Sequence, residues 1–507
     1  MMKSSLIRIN LIFTLLVLFI PNLVSAELKT FTKEYTYQAS EADSKQTCRT
    51  LALEQVKRLL LEEIGTYLES QTEVKNFQLT HDQITTLTAG IVKTEIVTET
   101  WDGKEYKLKA KISADPDDVS AAIDNLRKDQ QKVKAFEEAK KKIDETIREA
   151  NQLREELAVL KSKSNRKKKI EQYNIAVKKV RMADLYHKAR SSSITDCMPS
   201  SDRCKDSVDA FKKVIELDRG NTDAYFECGE AYYNWGKYRE AIDMFTAVLK
   251  KGAKKRDYVS VSFRNDKNEN VYDNRGDAYF YLGNYKAAIS DFNKAISLRS
   301  TFSRWSVFSY IRRGESYLQI ADYKNAVNDY EQALLIASND DNYKAEEKSG
   351  WSSELKENIK QTAIRSQNTD LWRAYQARGR VYGIIGNCKQ AVSDYNKAIE
   401  LFPNAPMNAG TYYLRSLCYR ILRNYEQAIK DISKAIDIEP KEPQYYHSRA
   451  ELCHSVYILK VFENTHPADA MNTYKPLYDQ AFDDYKTAAR LGYREAQDYL
   501  KGAGVEW

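Results

Sequence analysis

The stretch that decides the fold runs Tyr272-Asp273-Asn274-Arg275-Gly276-Asp277-Ala278-Tyr279-Phe280-Tyr281-Leu282-Gly283-Asn284-Tyr285 and continues through Ala288 and Phe292 to Ala295. Its grammar is an aromatic, Arg-Gly, Tyr, Gly-x-Tyr, then an Ala-rich segment. The phrase returns as Tyr375, Arg378, Gly379, Tyr382, Gly386, Cys388, Ala391, Tyr395, Ala398 and Pro403. A phrase that recurs in this way marks a stack of helix pairs, in which function lies along a long surface. A small residue in each first helix (Gly229, Gly276, Gly314, Gly379, Ser416, Ala450) lets the second helix approach closely. Tyr or Phe in the second helix is expected to fill the space between successive pairs. Ala241, Ile242, Phe245 and Val248 of one copy match Ala326, Val327, Tyr330 and Ala333 of another, a spacing that stripes one helical face and assigns these aromatics to the core.

On these residues the chain closely resembles the tetratricopeptide repeat, which implies a mainly α solenoid of antiparallel helix pairs. From Ser416 to Ala450 is 34 residues, the period of that family, while Gly229 to Gly276 is 47 and Gly314 to Gly379 is 65. The excess falls after the second helix each time, so Lys251–Asn270 and Ala337–Asp370 read as insertions on one edge. A degenerate pair opens the array with Ala183, Tyr186, Val208, Phe211 and Val214. Another closes it with Ala481, Tyr485 and Ala488, followed by a short helix from Tyr493 to Lys501. Seven pairs are expected, the terminal ones acting as caps.

The first residues read as an address. Lys3 and Arg8 precede an apolar run from Leu11 to Ile20, then Pro21 and the small-residue exit Val24-Ser25-Ala26, the pattern of a secretory signal peptide over residues 1–26. Export to the periplasm is the expectation, with no membrane span in the mature chain. Loss of Lys3 and Arg8 lowers the formal charge from +7 to +5, too weak to point to nucleic acid. The basic run Arg166–Lys169 reads as a solvated hairpin tip. With 9 Pro and 18 Gly in 507 residues, long disordered linkers are not expected.

Residues 27–125 have another texture. Phe31, Lys33, Tyr35 and Tyr37 alternate as a strand, Ser40 with Asp43 reads as a helix start, and Cys48, Ala52, Val56, Leu59, Ile64 and Tyr67 line one helical side. Trp101-Asp102-Gly103-Lys104 reads as a two-residue hairpin turn with positive backbone angles at Asp-Gly, followed by alternating Tyr106, Leu108, Ala110 and Ile112. This α+β domain, with its Ala-Leu-Glu-Gln-Val-Lys-Arg-Leu-Leu-Leu run, resembles the N-terminal domain of the flagellar assembly T-type periplasmic proteins. The resemblance implies a periplasmic setting and brings no catalytic motif. Residues 126–169 form a charged, coiled-coil-like helix in which Phe136, Ala139, Ile143, Ala150, Leu153, Leu157 and Leu160 follow a heptad register. Two helices folded back at the basic tip bury both stripes; a homodimer through residues 136–160 is the alternative. The solenoid is expected to fill residues 170–507.

Seven cysteines leave at least one unpaired or paired between molecules. Cys197 and Cys204, in the turn between the helices of the first pair, are the disulfide candidate. Cys48, Cys228, Cys388, Cys418 and Cys453 read as buried thiols.

No phosphate-binding glycine loop, nucleophile elbow, zinc-protease or haem spacing occurs, and no cofactor is implied. The resemblance places the fifth, ninth and twelfth positions of each first helix in a concave groove that binds protein partners. Those positions include Phe226, Glu230 and Tyr233; Asp273, Asp277 and Phe280; Glu315; Arg380; Tyr413 and Arg420; and His447, Glu451 and His454. Acids beside aromatics imply a partner segment carrying Lys or Arg next to apolar side chains. Two function classes result. One is a non-catalytic periplasmic scaffold serving a cell-envelope assembly. The other is an envelope enzyme or metal-dependent protein with a site near His447, Glu451 and His454, which share one helical face. Polysaccharide binding through exposed tyrosines is a narrower option.

Overall fold

A computed structural model describes residues 28–70, 81–89, 91–127, 130–160, 163–194, 202–252, 268–299, 304–339, 353–403, 405–464 and 466–507. The chain divides into two compact units, Met1–Asn265 and Asp266–Trp507. The division falls inside the expected solenoid, so its first two helix pairs belong to the unit that holds the α+β domain.

In the first unit, β1 (Lys29–Gln38), β2 (Thr94–Trp101) and β3 (Glu105–Ala114) form an antiparallel sheet in the order β1-β3-β2. Central β3 alternates cleanly: Tyr106, Leu108, Ala110 and Ile112 are buried beneath α1 (Lys45–Ser70), while the residues between them face away. Phe31 and Tyr37 of β1 are buried on the same side. The turn residues are Gly103 and Lys104, and Gly103 alone carries the positive angle, φ 94°. Asp102 instead accepts the backbone N–H groups of Lys104 and Glu105 at 2.8 and 2.7 Å. The α1 cap also differs from expectation. Ser44 Oγ accepts from Thr47 N at 3.1 Å, and the Ser40–Asp43 contact closes the turn before it.

Helices α2 (His81–Ala89) and α3 (Pro116–Arg127) complete the domain, and α4 (Gln130–Val159) folds back on α5 (Lys163–Ile194). Ala150 and Leu157 of α4 join Tyr173, Ala176 and Val177 of α5 in the same core as Val56 and Leu60 of α1. The C-terminal part of the heptad stripe, Ala150, Leu153 and Leu157, thus packs within the chain; of Phe136 and Ala139 only the helical backbone is described. Asp43 fixes the corner: its buried carboxylate accepts from Tyr173 Oη at 2.5 Å and lies 3.4 Å from Arg154 Nε. Lys57 of α1 is clamped between Glu54 and Asp184 of α5. Burial and the second carboxylate push the Glu54 acid up to about 7.

Helix α5 runs on into the first pair with α6 (Asp202–Leu217), where Ala183, Tyr186, Val208, Phe211 and Val214 are all buried as expected. Cys204 sits within α6, buried, and not in the turn where the sequence had placed it. Cys197 lies outside the described residues. Helices α7 (Thr222–Asn234) and α8 (Tyr238–Lys251) form the second pair.

The second unit holds the pairs α9 (Asn268–Tyr281) with α10 (Tyr285–Leu298), α11 (Arg304–Gln319) with α12 (Tyr323–Ala337), and α13 (Ser353–Ile384) with α14 (Cys388–Leu401). A 3₁₀ turn at Pro406–Asn408 leads to α15 (Ala409–Ile421) with α16 (Tyr425–Ile438), then α17 (Pro443–Phe462) with α18 (Pro467–Arg490) and the closing α19 (Arg494–Gly502). Seven pairs are therefore present among the described residues. Residues 353–370, expected in an edge insertion, are instead an extension of the first helix of the next pair. Most of the other insertion lies outside the described residues.

The small residue and the aromatic turn out to be partners within one pair. A Cβ at Gly276 would stand 3.0 Å from the Phe292 ring, at Gly314 2.8 Å from Tyr330, and at Gly379 2.9 Å from Tyr395. The ring therefore fills the first helix's own notch, where the sequence had suggested the space between pairs. The partner 16 residues past Ser416 is the smaller Ile432, which fits a notch already part-filled. Four of the pairs turn at a residue of positive φ (Gly283, Ala321, Gly386, Arg423), after which Asn284, Asp322, Asn387 and Asn424 cap the second helix.

Candidate functional site

The Arg of the recurring phrase has a fixed mate. Arg275, Arg313, Arg378, Arg415 and Arg449 grip Asp291, Asp329, Asp394, Asp431 and Asp484 in two-pronged hydrogen bonds of 2.6 to 2.9 Å. Each carboxylate sits just before the residue that fills the notch. The phrase tyrosines flank the guanidinium. Arg275 lies 5.6 Å from Tyr272 and 5.9 Å from Tyr279, and Arg378 lies 5.9 Å from Tyr375 and 5.8 Å from Tyr382. These tyrosines hold a charge clamp, a role the core reading missed; the signal was their constant offset from Arg. Stacking on sugars would have to compete with that clamp.

In the first unit the clamp positions of α7 and α8 are Cys228 and Met244. The expected groove residues there are partly engaged with their own pair. Phe226 lies 5.7 Å from the Phe245 ring, Tyr233 meets Tyr238 edge-on at 5.6 Å, and Glu230 is half-buried.

In the second unit, successive first helices touch, α9 with α11, α11 with α13, and α13 with α15, so corresponding faces form one continuous surface. Its α9–α11 portion departs from the expected acidic patch. Asp273 is buried against Arg299 and accepts from Ser309 Oγ at 2.6 Å. Burial pushes its carboxyl up to about 6 despite the arginine. Asp277 is paired with Arg312, whose Nη1 also donates to Glu315 at 2.6 Å. The Arg312 guanidinium covers the Phe280 ring at 4.7 Å and the Tyr281 ring at 5.1 Å. Three carboxylates thus meet two guanidiniums inside the chain, and the patch is a closed network instead of an open acidic surface. The sequence signal was the doublet Arg312-Arg313, where one arginine serves the repeat clamp and leaves the other for the neighbouring repeat.

The α13–α15 portion is open. Arg380 is exposed and has no ion-pair partner among the described residues. Ile384, one turn on, is 50% exposed, and Ile421 of α15 is 62% exposed. Arg420 faces Glu451 at 3.8 Å, with both side chains about half in solvent. Tyr413 lies against Tyr445 at 5.1 Å, and its hydroxyl meets Ser448 at 3.3 Å.

At the C-terminal end the side chains of the alternative metal-site reading are dispersed. His447 packs at 4.8 Å on Tyr493, His454 meets Tyr478 at 6.0 Å and lies 3.5 Å from Tyr499 Oη, and Glu451 turns to Arg420. Among the described residues no three His, Cys, Asp or Glu side chains are grouped to hold a metal ion. The terminal helix α19 supplies Tyr493 and Tyr499 in its approach and length, so both histidines serve the cap. A separate open cleft of about 550 Å³ lies between the α13 extension and the 3₁₀ turn, lined by Ile364, Arg365, Thr369, Phe402 and Met407 among others. Among the described residues no helix is long and apolar enough to cross a membrane.

Models of the tetratricopeptide repeat match residues 272–302, 309–340, 373–404 and 409–442. The chain carries tetratricopeptide repeats, which form an α-solenoid. Similar solved structures include a tetratricopeptide repeat protein from Parabacteroides merdae ATCC 43184, 16% identical, with 63% of this chain and 98% of that chain covered and a TM-score of 0.40. The C-terminal part of a repeat protein from Cytophaga hutchinsonii is 13% identical, with 62% and 99% covered and a TM-score of 0.39. YrrB, a tetratricopeptide repeat protein with an unusual peptide-binding site, is 18% identical, with 48% and 98% covered and a TM-score of 0.32. No curated protein matches the chain. The family matches fall within residues 272–442, so they bear on the repeats and leave the resemblance of residues 27–125 an expectation.

Proposed function

We propose that the protein is a non-catalytic adaptor of the periplasm that holds protein partners on the first-helix face of its second unit. The α+β domain docks it to a cell-envelope assembly. The observation that carries this reading is the division of labour within the repeats of the second unit. The Arg–Asp clamps and the aromatic notches use the polar and aromatic residues that recur at a constant offset for construction. On the α13–α15 face, by contrast, Arg380, Ile384 and Ile421 are left in solvent. Exposed aliphatics beside a cation that has no ion-pair partner among the described residues suit a protein ligand on a solenoid surface. Export rests on the apolar run and Val24-Ser25-Ala26.

A photo-crosslinking residue placed at Ile384 in living cells tests the binding face. It is expected to capture a discrete envelope protein, whereas the same residue at exposed Lys213 of α6 is not. Equal capture from both positions would sink the assignment. N-terminal sequencing of the exported chain is expected to begin at Glu27.

A further inference from the structure

The sign of the partner's charge can be read from which charged groups on the first-helix face are already spent. On α9 and α11 each carboxylate that the sequence offered to a basic partner has an arginine of this chain against it: Asp273 with Arg299, and Asp277 and Glu315 with Arg312. A lysine or arginine arriving from outside would have to displace a guanidinium that is itself 15% exposed or less. Displacement would leave that arginine buried without a counter-charge, which is unfavourable.

On α13 and α15 the balance is reversed. Arg380 is exposed and unmatched among the described residues. Its neighbour one turn along, Ile384, shares its helical face. Adjacent α15 adds Arg420 and the more exposed Ile421. The Arg420–Glu451 contact, at 3.8 Å and half in solvent, belongs to the class of surface pairs that contribute little and exchange readily. The strip is therefore cationic and aliphatic at once. Its guanidiniums offer two-pronged sites for carboxylates, and its isoleucines offer apolar area beside them.

We propose that this strip recognises a segment of a partner protein in which Asp or Glu stands next to aliphatic or aromatic side chains. The inference rests on the binding face proposed above and replaces the basic partner that the groove acids suggest in the sequence. A peptide is favoured over an anionic bilayer because the exposed cations on this strip number two and stand beside a closed network that adds no net positive charge, too few for a surface held by headgroup attraction alone.

Fluorescence anisotropy of the full chain with short labelled peptides tests it, one alternating Glu with Leu and one alternating Lys with Leu. The Glu/Leu peptide is expected to bind, more weakly as salt rises, and to lose about tenfold or more in affinity to Arg380→Glu and to Ile384→Ser. Arg380→Lys should retain part of the binding. Circular dichroism of the variants, both changed at exposed positions, should match the parent. Preference for the Lys/Leu peptide would overturn the charge assignment while leaving the binding face intact. Unchanged Glu/Leu binding in both variants would remove the strip as the site. Displacement of the peptide by phosphatidylglycerol vesicles, with no protein cross-linked from Ile384, would assign the strip to a lipid surface and overturn the proposal. Failure of both peptides, again with no cross-link from Ile384, would sink the binding face itself.

Discussion

Two neighbouring portions of one surface, α9–α11 and α13–α15, are built from the same repeat and differ in what their charges do. In the first, Asp273, Asp277 and Glu315 are tied to Arg299 and Arg312, and a guanidinium lies over Phe280. In the second, Arg380 stands in water beside Ile384. The lesson is that the first-helix face of a repeat can be either a seam between repeats or a surface for something else. Residue type at a given position does not decide which. What decides is whether the next repeat supplies a partner within reach.

The largest expected effect would break the closed portion. Arg299→Ala leaves the Asp273 carboxylate buried without its arginine and should destabilise the α9–α11 region by about 3–5 kcal/mol, measured by hydrogen exchange or urea unfolding. Wild-type exchange protection in that variant would mean the network is ornamental. Gly276→Leu comes next, because even a Cβ meets the Phe292 ring at 3.0 Å. Overpacking of this kind costs about 1–3 kcal/mol, and the melting transition should fall accordingly. Its control, Gly410→Ala, has open space around the added Cβ and, in replacing a helical glycine, should leave the same melt unlowered or raise stability by up to about 1 kcal/mol.

Acidity sharpens the contrast. Asp273 takes its proton at about pH 6 in the folded chain, against an ordinary carboxyl value of 3.8. The folded state therefore binds that proton more tightly than the unfolded one. Its contribution to stability is fully present below the ordinary value and is lost as the pH rises through about 6. The penalty of Arg299→Ala should accordingly shrink on acidification, and Asp273→Asn should flatten the dependence; a pH series of urea midpoints checks both. The same sign holds for Glu54 in the first unit, whose contribution is lost as the pH rises through about 7. Glu54→Gln should remove it.

The smallest stability effect is expected in the open portion. Arg380→Ala touches no ion pair among the described residues and should change stability by no more than about 0.5 kcal/mol, even where it abolishes binding. A loss comparable to that of Arg299→Ala would show that Arg380 is also spent on the fold, and the distinction between the two portions would disappear.

Much of the architecture was legible in residue order. The offset of 16 between Gly276 and Phe292, Gly314 and Tyr330, and Gly379 and Tyr395 defines a pair, and Gly103 marks a hairpin, although its turn residues are Gly103 and Lys104 and not the expected Asp-Gly. These contacts are local, so helical geometry and turn chemistry fix them before any neighbour arrives. Even there the sequence misplaced the aromatic, because periodicity says that a face is buried without saying against what. It also read the α13 extension as an edge insertion, since excess length in a spacing does not reveal which helix grows.

The sequence by itself determined the repeat, its register and the list of residues on each first-helix face. Tertiary structure decided which of those residues remain available. Asp277 meets Arg312 across 35 positions and Asp273 meets Ser309 across 36, both between repeats. Glu315 meets Arg312 within one helix, but only after Asp277 has fixed where that guanidinium points. Arginine is long and its rotamers are many, so its mate depends on the stacking of whole helix pairs. Coulomb attraction then rewards whichever carboxylate the stacking brings near and buries, and no spacing along a single helix records that choice.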